Sequence, residues 1–283
     1  MPSGYHDYPP ATWRLLIEPT PQSGAWNMAL DEVLMERVAV GASPPTLRFF
    51  MWDPPCLSLG KRQPINGVDL DRCRADGVSV VRRVTGGWAI LHTDELTYSI
   101  AVRPDNPRAD GAILDAYRKL RQGLVVGLSL LGAPAVMNPV AMSGTQNLSA
   151  ACFEVPSAYE ITVGQRKLIG SAQTRPAGRV LQHGSLPLTG DIARVTDYLW
   201  FESEDARVEL RTHLRERATT LSEALGRPVG FAEAADAMAA GFATALSLEL
   251  AASELSEDEH AAVEALLPSK TLESPVGATA SQP

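Results

Sequence analysis

Short apolar segments, separated by glycine and proline turns, place the strongest constraint on the fold of this chain. Up to about residue 190, most of these segments have the length and composition of β-strands, as in 46–52 (TLRFFMW) and 78–84 (VSVVRRV). Two stretches in which apolar residues have helical spacing interrupt them, at 25–41 and 111–131. After residue 196 the pattern is helical. This order predicts an α+β fold.

The second half of the strand-rich region predicts a meander of three strands, at 153–163, 166–173 and 179–188. A two-residue turn at Gly164-Gln165 would join the first two strands into a hairpin and pair Thr162 with Lys167.

The final third of the chain predicts helices at 207–226, 231–250 and 257–266. We expect a core over residues 10–201 and a C-terminal helical extension over 202–267, packed on or beside that core. Residues 268–283 are rich in Ser, Thr, Pro and Gly, a composition typical of a disordered tail.

The charge of the chain is distributed unevenly. The net charge is −8, with +1 over residues 1–201, −9 over 202–267 and zero over the remainder. A nearly neutral core does not have the basic surface of a nucleic-acid-binding protein. An acidic helical segment can bind a partner, but it is more often a solvated face.

Three cysteines at wide and irregular spacing indicate neither a disulfide framework nor a metal cluster. No apolar run is long enough to span a membrane, and residues 1–10 lack the basic and apolar regions of a signal peptide. We therefore expect a cytoplasmic enzyme with reduced thiols, which binds neither nucleic acid nor membrane.

The first candidate site is a strand that ends in Arg82 and Arg83 and enters a loop with Gly86 and Gly87. Glycines let a backbone approach a ligand closely, and their N–H groups can hold an oxyanion or a carbonyl oxygen. The alternative interpretation of this motif is a tight hairpin with two surface arginines, since Gly-Gly turns are common.

The second candidate site is a predicted strand in which Lys167 is followed by Gly170, Ser171 and Ala172. Small side chains there indicate that another group packs closely. The alternative interpretation is that Lys167 lies on an edge strand and faces solvent, because most lysines are exposed.

The third candidate is Cys152, which precedes a predicted strand. A single cysteine is usually an apolar packing residue, and it becomes a nucleophile only where a neighbour such as a cation lowers its pKa. Cys152 lies ten residues before Thr162, so the register of a simple hairpin does not bring it to Lys167. Cys56 and Cys73 fall within a predicted strand and helix, where packing is the better interpretation.

Two histidines complete the candidate residues. His92 follows the glycine loop, and His183 precedes Gly184 in the third strand of the meander. Each could serve as a general base, or be a polar residue at the end of a strand.

Taken together, these motifs resemble the superfamily of lipoate–protein ligases, biotin ligases and octanoyltransferases. The resemblance rests on RRVTGGWAILHTDELTYSI at 82–100 and KLIGSAQTR at 167–175, with TLRFFMW, CLSLGKRQ and VLQHGSLPL around them. It covers residues 13–200, in order. It implies a mixed β-sheet core flanked by helices, in which the sheet holds the acyl group beside the Arg-Arg-Gly-Gly loop.

Members of this superfamily differ in chemistry. The ligases activate a free acid with ATP and need no cysteine, whereas LipB-type octanoyltransferases carry a cysteine after the motif lysine. Here Cys152 precedes Lys167, an order similar to that of LipM-type octanoyltransferases. Trp88 occupies the position at which the ligases usually have a third glycine. Its indole would fill volume that an adenylate intermediate needs, which makes activation by ATP less expected.

The resemblance implies roles for individual residues. Cys152 would carry the octanoyl group as a thioester, and Lys167 would lower its pKa and could act as a base. The substrate would be held by ten further residues: Arg82, Arg83, Gly86, Gly87, His92, Gly170, Ser171, Ala172, His183 and Gly184. The expected donor is octanoyl-acyl carrier protein and the expected acceptor is a lysine of a lipoyl domain, such as a glycine cleavage H protein. Neither ATP nor a metal cofactor is expected.

Three alternatives remain at this point. The chain could be an ATP-dependent ligase, or an amidotransferase that moves the acyl group between lipoyl domains. It could also be a degenerate relative that only binds carrier proteins, although the presence of Cys152, Lys167 and both glycines counts against this.

Overall fold

A large mixed β-sheet forms the centre of the molecule in the computed structural model, which describes residues 8–137 and 161–273. Its strand order is β11-β1-β2-β6-β10-β9-β8-β7. Strands β11, β1 and β2 are mutually parallel and the other neighbours are antiparallel. The strands are β1 (Ala11–Ile17), β2 (Thr46–Phe50), β6 (Glu95–Val102), β7 (Ala135–Met137), β8 (Ile161–Val163), β9 (Arg166–Thr174), β10 (Val180–Pro187) and β11 (Leu248–Ala252).

A smaller mixed sheet lies beside the large one, with the order β12-β4-β3-β5. Strands β3 and β4 are parallel, while β5 and β12 pair antiparallel with them. Its strands are β3 (Cys56–Leu59), β4 (Ser79–Arg82), β5 (Ile90–His92) and β12 (Thr271–Glu273). The predicted α+β fold with a mixed sheet is therefore confirmed.

Helices cover the sheets on both sides. They are α1 (Gly24–Ala39), α2 (Leu70–Ala75), α3 (Ile113–Leu130), α4 (Glu204–Arg217), α5 (Leu221–Leu225), α6 (Phe231–Leu246) and α7 (Glu257–Leu266), with short 3₁₀ helices at Ile65–Gly67, Ile192–Tyr198 and Leu267–Ser269.

The main core lies between the large sheet and the antiparallel helices α3 and α6. Leu120 and Leu124 of α3 and Phe242 of α6 pack against Phe49 and Tyr98 of the sheet, and all five side chains are buried. Helix α1 covers the opposite face, where Ala29, Leu30 and Leu34 join a second cluster. Because α1 also contacts β4, it lies between the two sheets.

The hairpin predicted at Gly164-Gln165 is confirmed. Thr162 pairs with Lys167 and Val163 pairs with Arg166, and Gly164 has a φ of 63°. The pairing places Lys167 next to the end of β8 and fixes the face of β9 to which its side chain points.

The single helix predicted at 207–226 is wrong. The chain leaves helical geometry at Ala218, and the Thr219 N–H donates to the carbonyl oxygen of Lys167 at 2.9 Å. Thr220 then caps the new helix α5 by accepting from the Glu223 N–H. A contact with a strand therefore outweighs the helical pattern of this segment.

The helix predicted to reach residue 250 is also too long. Helix α6 ends at Leu246, and Ser247 adopts a φ of 50° that turns the chain into β11. Strand β11 pairs with β1, and β12 lies within the segment expected to be a disordered tail. Residues after 201 thus supply an edge strand to each sheet, besides the helices expected of an extension.

No helix in the described ranges is long and apolar enough to cross a membrane.

The close packing of α3 against α6 generates a prediction. A Cβ atom at Gly241 would lie 2.3 Å from the Gly127 nitrogen and 2.4 Å from the Gly123 oxygen, both of which are backbone atoms. We expect Gly241→Ala to lower the free energy of unfolding by about 2–3 kcal/mol, because the helices must separate. Denaturant unfolding measures this change.

The neighbouring Ala240 is exposed and provides the control. Ala240→Ser should change the unfolding free energy by less than about 0.5 kcal/mol. Equal effects of the two substitutions would show that the helix contact is not as close as described.

Candidate active site

A cavity of about 380 Å³ opens between the large sheet, the small sheet and helix α1. This volume is within the usual range for small-molecule sites, which is roughly 300–1,000 Å³. Its walls come from β9 and β10 on one side and from β3, β5 and the glycine loop on the other. The lining residues are Met28, Trp52, Ser58, Arg83, Gly86, Gly87, Trp88, Ile90, His92, Thr97, Lys167, Gly170, Ser171, Ala172, Gln173, His183, Gly184 and Ser185.

The two arginines of the glycine loop have different positions. Arg83 lines the cavity, and its guanidinium donates to the carbonyl oxygens of Ser58, Gly86 and Trp88 at 2.8–2.9 Å. Arg82 instead donates to the carbonyl oxygens of Gly60 and Gln63, outside the cavity lining. The structure therefore brings Arg83 to the cavity, while Arg82 holds the neighbouring loop.

The glycine loop lies at the mouth of the cavity. Gly86 and Gly87 are exposed, and Gly87 has a φ of 94°, a conformation that side chains rarely tolerate. Trp88 follows them and lines the cavity with a half-buried indole. A bulky ring thus lies where the ligases of the superfamily usually have glycine.

The opposite wall is formed by small residues of β9 and β10. Gly170, Ser171 and Ala172 pair with Ser185, Gly184 and His183 respectively, and all six line the cavity. A side chain at Gly184 would meet the Gly170 oxygen at 2.5 Å, so the wall is tightly built. Lys167 lies in the same strand, is 5% exposed and also lines the cavity.

Cys152 lies outside the described residues, so the predicted contact between Cys152 and Lys167 stays a prediction. The other two cysteines are fully buried, and burial raises the pKa of both thiols to about 12. Nearby Asp69 and Asp76 raise the pKa of Cys73 further. Cys56 and Cys73 are therefore packing residues, as their positions in the sequence indicated.

His92 is part of a buried chain of polar groups on the cavity wall. Its Nδ1 lies 2.7 Å from Oε1 of Glu95, and its Nε2 lies 2.8 Å from the hydroxyl of Ser58. Trp52 stacks on the imidazole with ring centroids 3.9 Å apart. Burial raises the pKa of Glu95, but the charge and hydrogen bond of His92 and the hydrogen bond from Thr97 outweigh it and lower the pKa below its ordinary value.

His183 belongs to a second buried chain. Its Nδ1 lies 2.9 Å from Oδ2 of Asp31, and its Nε2 lies 2.6 Å from the hydroxyl of Thr85 in the glycine loop. The other oxygen of Asp31 accepts from the fully buried Arg48 at 3.0 Å. Burial opposes ionisation of Asp31, yet the bonds and charges of His183 and Arg48 lower its pKa below 3.8.

The polar partners of the two histidines were not predicted. Glu95 is three residues after His92, and this spacing is a signal that the sequence contains. Asp31 and Arg48 each interrupt an apolar segment, in α1 and β2, which is a weaker signal for buried charge. Ser58 carries no signal, because only the pairing of β3 with β5 brings it close to His92. Trp52 follows β2 and stacks on His92, which is far from it in sequence, so it carries no signal either.

Residues 23–243 match the lipoyl protein ligase A/B catalytic domain family. Among curated relatives, octanoyltransferase LipM of Symbiobacterium thermophilum is 42% identical over 263 residues, which covers 91% of this chain and 95% of the relative. Octanoyltransferase LipM of Kyrpidia tusciae is 42% identical over 261 residues, with 90% and 95% covered.

Among solved structures, the bipartite lipoate–protein ligase of Thermoplasma acidophilum, described with its E2 lipoyl domain, has a similar fold. The TM-score is 0.76 at 23% identity, and the match covers 91% of this chain and 92% of that one. This similarity of fold agrees with the expected ligase-type core.

The buried Asp31 generates a prediction about acid stability. A carboxyl whose pKa is lower in the folded than in the unfolded state stabilises the fold above its unfolded pKa, and this contribution is lost as the pH falls through the folded value. We expect Asp31→Asn to cost about 3 kcal/mol at neutral pH, because Arg48 loses a buried partner. The cost should shrink below pH 3.8.

Urea unfolding at about pH 7 and about pH 3 measures both effects. Asp105, an exposed carboxylate paired with Arg103, is the matched control. Asp105→Asn should have little effect, since exposed ion pairs contribute little. A loss for Asp31→Asn that does not depend on pH would contradict the assigned ionisation.

Proposed function

The chain belongs to the lipoyl protein ligase A/B catalytic domain family, and within it we propose that the protein is an octanoyltransferase of lipoate biosynthesis. The observation that carries this proposal is its similarity to LipM octanoyltransferases over about nine-tenths of its length. The cavity supports it, because walls of glycine, tryptophan and isoleucine can receive a linear acyl chain beside the buried Lys167.

In the first step, Cys152 is the nucleophile. Its thiolate attacks the carbonyl carbon of an octanoyl thioester, the bond to the donor sulfur breaks, and the acyl group is held as a thioester on Cys152. Lys167 favours the thiolate as a nearby cation. Three observations support these roles. Cys152 precedes Lys167 in the sequence, and Lys167 is buried on the cavity wall. The pKa values of the other two thiols are raised.

The oxyanion of this step needs hydrogen-bond donors that are already in place. Strand β8 pairs with β9 only as far as Ile169, whereas β10 pairs with β9 along Gly170–Thr174. Alternate N–H groups of a strand point to opposite sides, so some in 170–173 point away from β10. We propose these N–H groups, or those of Gly86 and Gly87, as the oxyanion site.

In the second step, a lysine of a lipoyl domain attacks the Cys152 thioester and forms an amide. Exchange between thioesters is nearly balanced in free energy and amide formation is downhill, so the reaction needs neither ATP nor a metal. The indole of Trp88 on the cavity wall is consistent with a pocket for an acyl chain without an adenylate.

The donor in this scheme is octanoyl-acyl carrier protein, and the acceptor is a lipoyl domain such as a glycine cleavage H protein. Because the reaction depends on a free thiolate, we place it in the cytoplasm, where thiols stay reduced. An amidotransferase would use the same cysteine but a different donor, and supplying the acyl group on a lipoyl domain instead of the carrier protein distinguishes the two.

We predict that Cys152→Ala abolishes transfer, because the acyl group has no thiol on which to be held. Intact mass after mixing with octanoyl carrier protein should show an octanoyl adduct on the unaltered enzyme and none on the variant. Cys56→Ala should keep the adduct, since that thiol is buried. An adduct that persists on Cys152→Ala would eliminate this nucleophile.

We predict that Lys167→Ala moves thiol alkylation to higher pH by at least about one pH unit, because Cys152 loses a cation that favours its thiolate. The rate of iodoacetamide labelling against pH measures this, with Cys152→Ala as the background. Lys167→Arg retains the charge and should remain close to the unaltered profile. An identical profile for Lys167→Ala would show that Lys167 does not control Cys152.

A further inference from the structure

A row of side-chain hydrogen bonds crosses strands β9, β10 and β6 and ends at the cavity. It begins at Arg175, whose Nε donates to Oε1 of Gln173 at 2.7 Å. Nε2 of Gln173 lies 2.9 Å from Oε1 of Gln182, and Nε2 of Gln182 lies 3.0 Å from the hydroxyl of Tyr98. That hydroxyl lies 2.7 Å from Oγ of Ser171, which lines the cavity. The row therefore connects a guanidinium to the cavity wall.

The first member of the row determines the direction of every bond in it. A guanidinium has no acceptor atom, so Arg175 must meet the oxygen of the Gln173 amide and not its nitrogen. The Gln173 nitrogen is then the donor to Gln182 Oε1, which turns the Gln182 nitrogen toward Tyr98. Because an amide nitrogen can only donate, the proton of the Tyr98 hydroxyl is given to Ser171 Oγ.

The row keeps this direction at neutral pH. A guanidinium is always charged in proteins, and that of Arg175 also donates to the carbonyl oxygens of Ala109 and Gly111. Burial raises the pKa of Tyr98 to about 12, so the phenol keeps its proton. Tyr98 and Gln182 are fully buried, so solvent does not compete for their hydrogen bonds.

The consequence is a hydroxyl proton at the cavity wall that is available to a ligand. Ser171 Oγ accepts from Tyr98, so its own proton must point in another direction. Within residues 8–137 and 161–273, no hydrogen bond is donated by this hydroxyl. Because Ser171 is only half-buried and lines the cavity, a group bound there can accept the proton.

Gly184 makes this arrangement possible. It pairs with Ser171 on one side and with Tyr98 on the other, so it lies between these two residues in the sheet. A Cβ atom at Gly184 would lie 2.6 Å from both Ser171 Oγ and Tyr98 Cε1. A residue without a side chain is therefore needed at this position to leave the bond between the two hydroxyls undisturbed.

An acyl thioester offers the Ser171 proton one good acceptor. Its hydrocarbon chain forms no hydrogen bonds and its sulfur accepts weakly, whereas its carbonyl oxygen has two lone pairs. This oxygen becomes negative when a nucleophile adds to the carbonyl carbon, and a hydrogen bond to a charged oxygen is stronger than one to a neutral oxygen. A donor that is already held in place needs no rearrangement at that moment.

We propose that the Ser171 hydroxyl donates to the carbonyl oxygen of the acyl group and stabilises its negative charge, while Tyr98 positions this hydroxyl. This rests on the proposed octanoyl transfer, and it adds a side-chain donor to the backbone N–H groups of the oxyanion site. When the Cys152 thiolate bonds to the carbonyl carbon, an electron pair moves to the oxygen. The pair returns as the bond to the donor sulfur breaks and the donor leaves as a thiolate. Ser171 keeps its proton throughout.

The same oxygen is charged in the second step. The neutral amine of the acceptor lysine bonds to the carbonyl carbon, the bond to the Cys152 sulfur breaks, and the proton lost by the nitrogen ends on the Cys152 thiol. We therefore expect Ser171 to act in both half-reactions. A group that assists only the thiol or only the amine would act in one of them.

The carbonyl stretch of the acyl-enzyme provides the test. The full chain is loaded with carrier protein whose octanoyl carbonyl is labelled with carbon-13, and loading is checked by intact mass. The infrared difference between labelled and unlabelled acyl-enzyme isolates the thioester carbonyl band. Because a donated hydrogen bond weakens the C=O bond, we expect this band at higher frequency in Ser171→Ala than in the unaltered enzyme.

Single-turnover rates provide a second measurement. We expect Ser171→Ala to be roughly 100-fold slower both in loading and in transfer to a lipoyl domain, the effect typical of one lost oxyanion donor. Tyr98→Phe retains the Ser171 hydroxyl but removes the bond that directs it, so we expect a loss of about tenfold in both steps and a smaller shift of the band to higher frequency. This variant reports on the proposal if Ser171→Ala does not fold.

Two substitutions of the same kind are the matched controls. Tyr198→Phe removes a hydroxyl that contacts Asp76 outside the cavity lining, and Ser129→Ala removes an exposed hydroxyl of α3. Both should give the band position and the rates of the unaltered enzyme.

A carbonyl band that keeps its position in Ser171→Ala would overturn the proposal even if the rates fall, and Ser171 would then have only a structural role as the acceptor of Tyr98. Unchanged rates in both half-reactions would overturn it as well. Failure of the unaltered enzyme to form an acyl-enzyme would instead refute the proposed function. The two failures are distinguishable, because the role of Ser171 is judged on an acyl-enzyme that has formed.

Discussion

The buried ion pair between Arg48 and Asp31 is the interaction on which the arrangement of the site depends. Arg48 lies in the middle of the large sheet with no exposed surface, and it packs over the ring of Phe50. Its guanidinium ties β2 to α1 through Asp31 and Asn27. Asp31 in turn holds His183. A charge that cannot reach water therefore fixes the helix between the two sheets, and with it one wall of the cavity.

The sequence predicted most of the fold because its strands and helices are short and clearly bounded. Hydrophobic spacing was sufficient for α1 and α3, and the two-residue turn at Gly164-Gln165 was sufficient for the hairpin. It failed where a tertiary contact decides the structure. The hydrogen bond from Thr219 to β9 divides a continuous helical pattern, and the pairing with β1 turns the end of another pattern into β11. Neither partner is close in sequence, so local spacing cannot indicate them.

The same division holds for the candidate site. Motif resemblance identified Lys167, the glycine loop and both histidines, and the fold brings these residues to one cavity. It did not identify the carboxylates that give the two histidines different surroundings. Glu95 has no arginine partner within the described ranges, whereas Asp31 has one. That difference arises from the three-dimensional packing of charges, which single motifs do not encode.

Strands β11 and β12 have a consequence for how the chain is made. Strand β1 is synthesised early, yet its outer neighbour β11 lies more than two hundred residues later in the chain. Strand β4 likewise pairs with β12, which is synthesised much later. Both sheets therefore keep an unpaired edge on the ribosome until the last helices have emerged. Contacts of such long sequence separation slow folding and leave a nascent chain open to pairing with other chains.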